Sequence, residues 1–136
     1  MNKLLLCIIT CAILNISCKK ESQGDSLNSD EYYVKYEVNS STIYTGGKLS
    51  VILNAENNQA FTFTINTRSA WETIIGPVKR GFKASLNVNE IGNNYGHLKL
   101  FTQISVSKND SPFALKKINS SDTPRISTQI DYTIDY

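Results

Sequence analysis

From Tyr32 to the C-terminus, the apolar residues of this 136-residue chain recur with a period of two. Tyr32, Val34, Tyr36 and Val38 alternate with Tyr33, Lys35 and Glu37. Leu49, Val51, Leu53 and Ala55 alternate with Ser50, Asn54 and Glu56, with Ile52 as the exception. Phe61, Phe63 and Ile65 alternate with Thr62, Thr64 and Asn66, and Phe82, Ala84, Leu86 and Val88 with Lys83, Ser85 and Asn87. Leu98, Leu100, Ile104 and Val106 stand opposite His97, Lys99, Gln103 and Ser105. Ile126, Ile130, Tyr132 and Ile134 stand opposite Ser127, Gln129, Asp131 and Thr133. A strand sends successive side chains to opposite faces, so each run buries one face and wets the other. No helical stripe of comparable strength occurs in this region. The expectation is an all-β domain, an antiparallel two-sheet sandwich of about seven strands, with a closed barrel as the alternative.

The breaks between runs carry turn formers: Gly46-Gly47, Asn57-Asn58, Gly92-Asn93-Asn94 and Asn109-Asp110-Ser111-Pro112. Asn tolerates the left-handed backbone that a tight hairpin needs. Residues 90–93 have the length of a single helical turn, but Gly92 and Gly96 argue for a loop. The last run reaches almost to Tyr136, so the C-terminus is expected to be paired into a sheet.

The first twenty residues, MNKLLLCIITCAILNISCKK, have a different character. Lys3 gives a positive start, and Leu4 to Leu14 is apolar apart from Thr10. This run is too short for a hydrocarbon core of ~30 Å, which takes about 20 apolar residues. It fits the hydrophobic region of a secretory signal peptide. Leu14-Asn15-Ile16-Ser17-Cys18 resembles the lipobox of bacterial lipoproteins, and the Ser-Cys-Lys-Lys ending is similar to those of Bacteroidota. The resemblance implies that residues 1–17 are removed and that Cys18 is acylated as the mature N-terminus. Two or more acyl chains, each gaining ~0.8 kcal/mol per buried methylene, anchor stably where one does not. An ordinary cleaved signal and an uncleaved anchor are the competing readings. Cys7 and Cys11 leave with the signal, so the domain is expected to fold without disulfides.

Residues 18–31 form a polar tether, with Leu27 its one apolar residue between Lys19 and Glu31. Such a composition cannot build a core. Asp25-Ser26-Leu27 resembles the O-glycosylation acceptor of Bacteroidota, against the plainer reading of an ordinary linker. Residues 32–136 are the folding domain.

The start Tyr32-Tyr33-Val34-Lys35-Tyr36-Glu37-Val38, a later Trp71 and the Gly81-Phe82 pair together resemble a group of small, uncharacterised Bacteroidota lipoproteins. More distantly, the pattern is similar to the mycobacterial "membrane protein, small" family, sandwich domains that accompany large lipid exporters. That likeness implies an accessory role, although this chain carries a lipobox in place of their transmembrane helix and lacks their paired cysteines.

Trp71 has two readings: an anchor for a loop or edge strand, or a ligand-stacking ring. Gly81 is expected to supply an unusual backbone angle leading into a strand, and Pro77 to mark an edge or turn. Lys79, Arg80 and Lys83 form a basic cluster that suits anionic headgroups or acidic glycans, or simply a solvated edge that resists aggregation.

A net charge of +2 is too weak to argue for a nucleic-acid binder, where a strongly basic face is expected. No catalytic constellation is visible. His97 stands alone, which is a poor start for a zinc site, and the carboxylates are scattered. Asp131 and Asp135 are about 13 Å apart by strand rise, too far for a glycosidase pair. The sequence therefore indicates a cell-envelope binding or accessory module at the outer membrane, without catalytic activity, cofactor or metal. Its partner is an envelope protein or a glycan, met through strand edges or through Trp71, Tyr33, Tyr95 and Phe101. The alternatives are a glycan-binding lipoprotein and an accessory subunit of an envelope transport complex.

Overall fold

The computed structural model describes residues 30–40, 47–66, 70–92 and 98–136. The signal segment, Cys18, the tether before Asp30 with Asp25-Ser26-Leu27, and also Tyr95 and His97 lie outside the described residues.

Among the described residues there are eight strands: β1 (Tyr32–Ser40), β2 (Lys48–Asn54), β3 (Ala60–Asn66), β4 (Trp71–Val78), β5 (Lys83–Ile91), β6 (Leu100–Lys108), β7 (Ala114–Ser120) and β8 (Ser127–Thr133). They form two antiparallel four-stranded sheets, ordered β4-β1-β6-β7 and β3-β2-β5-β8. The domain is thus the expected two-sheet sandwich. Only the β2–β3 and β6–β7 links stay within one sheet, so most connections cross between layers and bind the two sheets into one core.

Alternation sets the inner faces. Tyr32, Val34, Tyr36 and Val38 meet Leu49, Val51, Leu53, Ala84, Leu86 and Val88 across the interlayer space, with Ile104, Val106, Ile130 and Ile134 completing the core. Each Val, Leu or Ile among these, fully buried, stabilises the fold by roughly 1.5–3 kcal/mol. The tyrosines keep a polar contact while buried. The Tyr32 hydroxyl donates to the Tyr136 carbonyl, and the Tyr36 hydroxyl lies 3.4 Å from Asn54 Oδ1. Burial pushes the Tyr36 phenol far above its ordinary pKa.

Two strands were not marked by alternation. Strand β7 exposes most of its residues, so it has no apolar stripe to announce it. Strand β4 carries Gly76-Pro77, joined by a cis peptide, and lies at a sheet edge where Pro is tolerated. Three further details differ from expectation. Strand β5 continues through Ile91, where a loop is indicated. Ile126 lies just before β8 and is 52% exposed, outside the core face assigned to it. Phe61 and Phe63 sit on the predicted inner side of β3 but are 43% and 36% exposed.

The expected turn chemistry is present. Asn57 takes a positive φ of 69° in a short 3-10 turn, Glu56–Asn58, that joins β2 to β3. Gly81 has φ 89°, and its N–H donates to the Ile134 carbonyl at 2.8 Å. The C-terminal segment is paired as expected, with β8 against β5 over Ser127–Thr133.

Candidate functional site

The alternation that turns Tyr32, Val34, Tyr36 and Val38 inward turns Tyr33, Lys35, Glu37 and Asn39 outward. Opposite the latter on β6 stand Ser107, Ser105, Gln103 and Phe101, and on β4 Glu72 pairs with Glu37. Trp71 instead pairs with Val38, on the inner side at the end of an edge strand.

At that end of the sheet two shallow depressions adjoin at Asn39 and Phe101. One, of about 210 Å³, lies among Trp71, Glu72, Glu37, Asn39 and Phe101. The other, of about 320 Å³, lies among Phe101, Asn39, Lys99, Ser120, Ser121 and Asp122. Together they make a shallow trough on which Phe101 lies between the two halves with Asn39, Glu37, Ser120 and Asp122 around it, while Trp71 borders it from the inner side, where its ring packs on Phe63. The trough sits roughly 20 Å along β1 from Tyr32 at ordinary strand rise, so Asp30 and Glu31 lie at the opposite end of the sandwich. The basic cluster Lys79, Arg80 and Lys83 is exposed at that same opposite end, where Arg80 Nη2 donates to the Asp135 carbonyl at 2.7 Å.

A polar chain holds the trough floor in place. Lys35 Nζ lies 3.2 Å from Glu37 Oε2 and 4.0 Å from Glu72 Oε2. Gln103 Nε2 donates to the same Glu37 oxygen at 2.7 Å and approaches Ser105 Oγ at 3.2 Å. Both carboxylates are thus engaged by one cation, an arrangement that fixes acceptors in place. Among the described residues, no group of three or more His, Cys, Asp or Glu is placed to hold a metal ion.

Of the four aromatic candidates, Trp71 and Phe101 both border the trough and both are half-buried, but Trp71 lies on the inner side against Phe63 and Phe101 on the outer face. Tyr33 does not join them. It is half-buried at the other end of β1 beside Gly76, with its hydroxyl 3.4 Å from Glu31 Oε2. Partial burial and the neighbouring Glu31 raise its phenol pKa.

A second aromatic group was assigned to the core by sequence. Phe63 lies 5.2 Å from Trp71 and 6.5 Å from Phe61, ring centre to ring centre. These rings line the β3/β4 side of the sandwich, where among the described residues neither outermost strand has a further neighbour in its sheet. The absence of any charge in Ala60–Asn66 was the available signal. On the outer face of the first sheet Ile74, Leu115 and Ile118 are also exposed. They lie on the two edge strands to either side of the Lys35–Glu37–Gln103 network, and Lys35 Nζ also stands 5.8 Å from the exposed Phe113 ring. No helix among the described residues is long and apolar enough to cross a membrane. Comparison with protein-family models, curated proteins and solved structures finds no match to the chain.

Proposed function

We propose that the protein is a lipid-anchored binding module of the bacterial cell envelope, held at the outer membrane through acylated Cys18 and acting by binding without catalysis. The observation that carries this reading is the order of three segments: a lipobox-like Leu14–Cys18, thirteen tether residues from Lys19 to Glu31, and then a sandwich. The trough at the far end from the tether supports it, because a tethered receptor needs its ligand surface clear of its anchor. Membrane fractionation tests the anchor. The chain should sediment with membranes, and Cys18→Ala should be released to the soluble fraction with its fold unchanged. A Cys18→Ala protein that stays with the membrane contradicts the reading.

A glycan ligand is favoured by one arrangement: the half-buried Phe101 lies in a trough that Trp71 borders and that also presents Asn39, Glu37 and Asp122. Flat aromatic faces suit sugar C–H surfaces, while the amide and carboxylates accept hydroxyl hydrogens. In affinity electrophoresis against a panel of neutral and acidic polysaccharides, retardation should be lost in Trp71→Ala and Phe101→Ala. Retardation unchanged in both variants, or none for the unmodified chain, removes the glycan reading and leaves an envelope protein as the partner.

A further inference from the structure

A sheet edge exposes a row of unpaired backbone groups, and proteins blunt such edges with charge, proline or bulges. Three of the four edges here are blunted. Strand β4 has Glu72, Pro77 and a register shift against β1. Strand β7 has Lys116, Lys117 and a register shift against β6. Strand β8 carries Asp131.

Strand β3 has none of these devices. Its sequence, AFTFTIN, contains no charge and no proline, and it pairs with β2 without a shift from Asn66 to Ala60. Its side chains are exposed except for the half-buried Ile65. The strand also reads nearly the same in both directions about Phe63. Antiparallel pairing of two copies on a two-fold axis at Phe63 sets Phe61 opposite Ile65, Thr62 opposite Thr64 and Phe63 opposite itself. Aromatic, β-branched and threonine pairs are the favourable cross-strand combinations. All apolar members fall on one face, so the exposed Phe61 and Phe63 of each copy stand beside Ile65 and Phe63 of the other. The same two-fold on β7 would bring a lysine-bearing strand against its own copy.

We infer that β3 is a self-association edge: two copies of this chain join antiparallel through Ala60–Asn66 into one continuous eight-stranded sheet. Such an interface is isologous, each copy presenting the same patch to the other. A pure neutral edge selects its own copy because no like charges meet and the side-chain pattern is self-complementary. The inference is independent of the lipid anchor and of the trough.

Light scattering of the purified full chain after size-exclusion chromatography tests it. A dimer mass is expected at tens of micromolar. Thr62→Lys with Thr64→Lys places lysine opposite lysine twice across the two-fold, at positions exposed in the single copy. That variant should be monomeric, with dimerisation weakened roughly ten-fold or more, and its thermal melt should remain cooperative. Thr62→Lys with Thr64→Glu pairs opposite charges in the same register and should restore the dimer. Gln129→Lys, on the opposite edge β8, should leave the dimer intact. A monomeric unmodified chain overturns the inference, as does a dimer that survives the double-lysine change. Failure of the Lys/Glu variant to dimerise overturns it too, because the register about Phe63 is then wrong. Partner capture through β3 in cells by a chain that is monomeric when pure assigns the edge to a foreign strand and likewise overturns it.

Discussion

Strands β3 and β8 are the two edges of one sheet, and both alternate apolar with polar residues, yet they end in opposite environments. Ile130 is 4% exposed and Ile134 is fully buried, whereas Phe61 and Phe63 are 43% and 36% exposed. The difference lies in what faces them. On the β7/β8 side, Asn119 Nδ2 donates to Thr128 Oγ1 at 3.0 Å, and Lys116 Nζ sits 4.0 Å over the Tyr136 ring. On the β3/β4 side Trp71 reaches Phe63 and leaves Phe61 uncovered. Alternation therefore specifies which residues share a face. The opposite layer decides whether that face is covered.

Breaking the closed side should have the largest effect. Deleting Ile130–Tyr136 removes two core side chains, part of the β5 pairing and the acceptor of the Tyr32 hydroxyl. The expected outcome is loss of the cooperative thermal transition by circular dichroism. Persistence of that transition would mean that β8 is dispensable.

Single truncations sharpen the contrast. Ile130→Ala should lower unfolding free energy by about 2–5 kcal/mol in urea titrations, the range for a buried aliphatic. Phe63→Ala, although it deletes a larger side chain, should lower the stability of a single copy by no more than about 2 kcal/mol, because about a third of its surface is already wet. Equal losses at the two sites would show that the β3 side is closed.

The blunted edge β4 makes an intermediate case. Gly76 has φ 151°, and a Cβ there would stand 2.7 Å from Tyr33 Cδ1 and 2.9 Å from the Tyr32 carbonyl oxygen. Gly76→Ala should therefore cost about 1–3 kcal/mol, read as a shifted urea midpoint. A midpoint that does not move would mean that β4 yields as freely as β3 is exposed.

The smallest effect belongs to the end where the chain joins the sandwich. Lys108 Nζ lies 2.7 Å from Asp30 Oδ2, and its hydrogen bond holds the Asp30 carboxyl below the usual range. A lowered folded pKa gives stability that is present above the unfolded carboxylate pKa and is lost as pH falls through the folded value. The pair is exposed, so the change in stability should be slight. By NMR titration, Lys108→Met should return the Asp30 carboxyl toward its ordinary value. An unchanged Asp30 titration would break the assignment.

Much of the fold is legible in the residues themselves. The core faces of β1, β2, β5 and β6 follow from strict alternation, and Asn57 and Gly81 have the positive φ values that their turns need. Strand β7 was hidden because solvent-exposed strands need no apolar stripe, and ALKKINS has none. The candidate site was half legible. Trp71 and Phe101 stand out as aromatics, but their bordering one trough depends on β1 lying between β4 and β6, a long-range pairing that no local pattern encodes. Phe61 and Phe63 read as core for the same reason: a sequence shows amphipathicity without showing where the facing layer stops.

Every membrane-related statement about this protein rests on Cys18. The intact mass of the chain extracted from bacterial membranes tests it most directly. A polypeptide beginning at Cys18 and carrying the added mass of a diacylglyceryl group, with or without a further acyl chain, is the predicted result. A chain that begins elsewhere, or an unmodified Cys18, would contradict lipid anchoring and return the sandwich to the status of an exported or uncleaved domain.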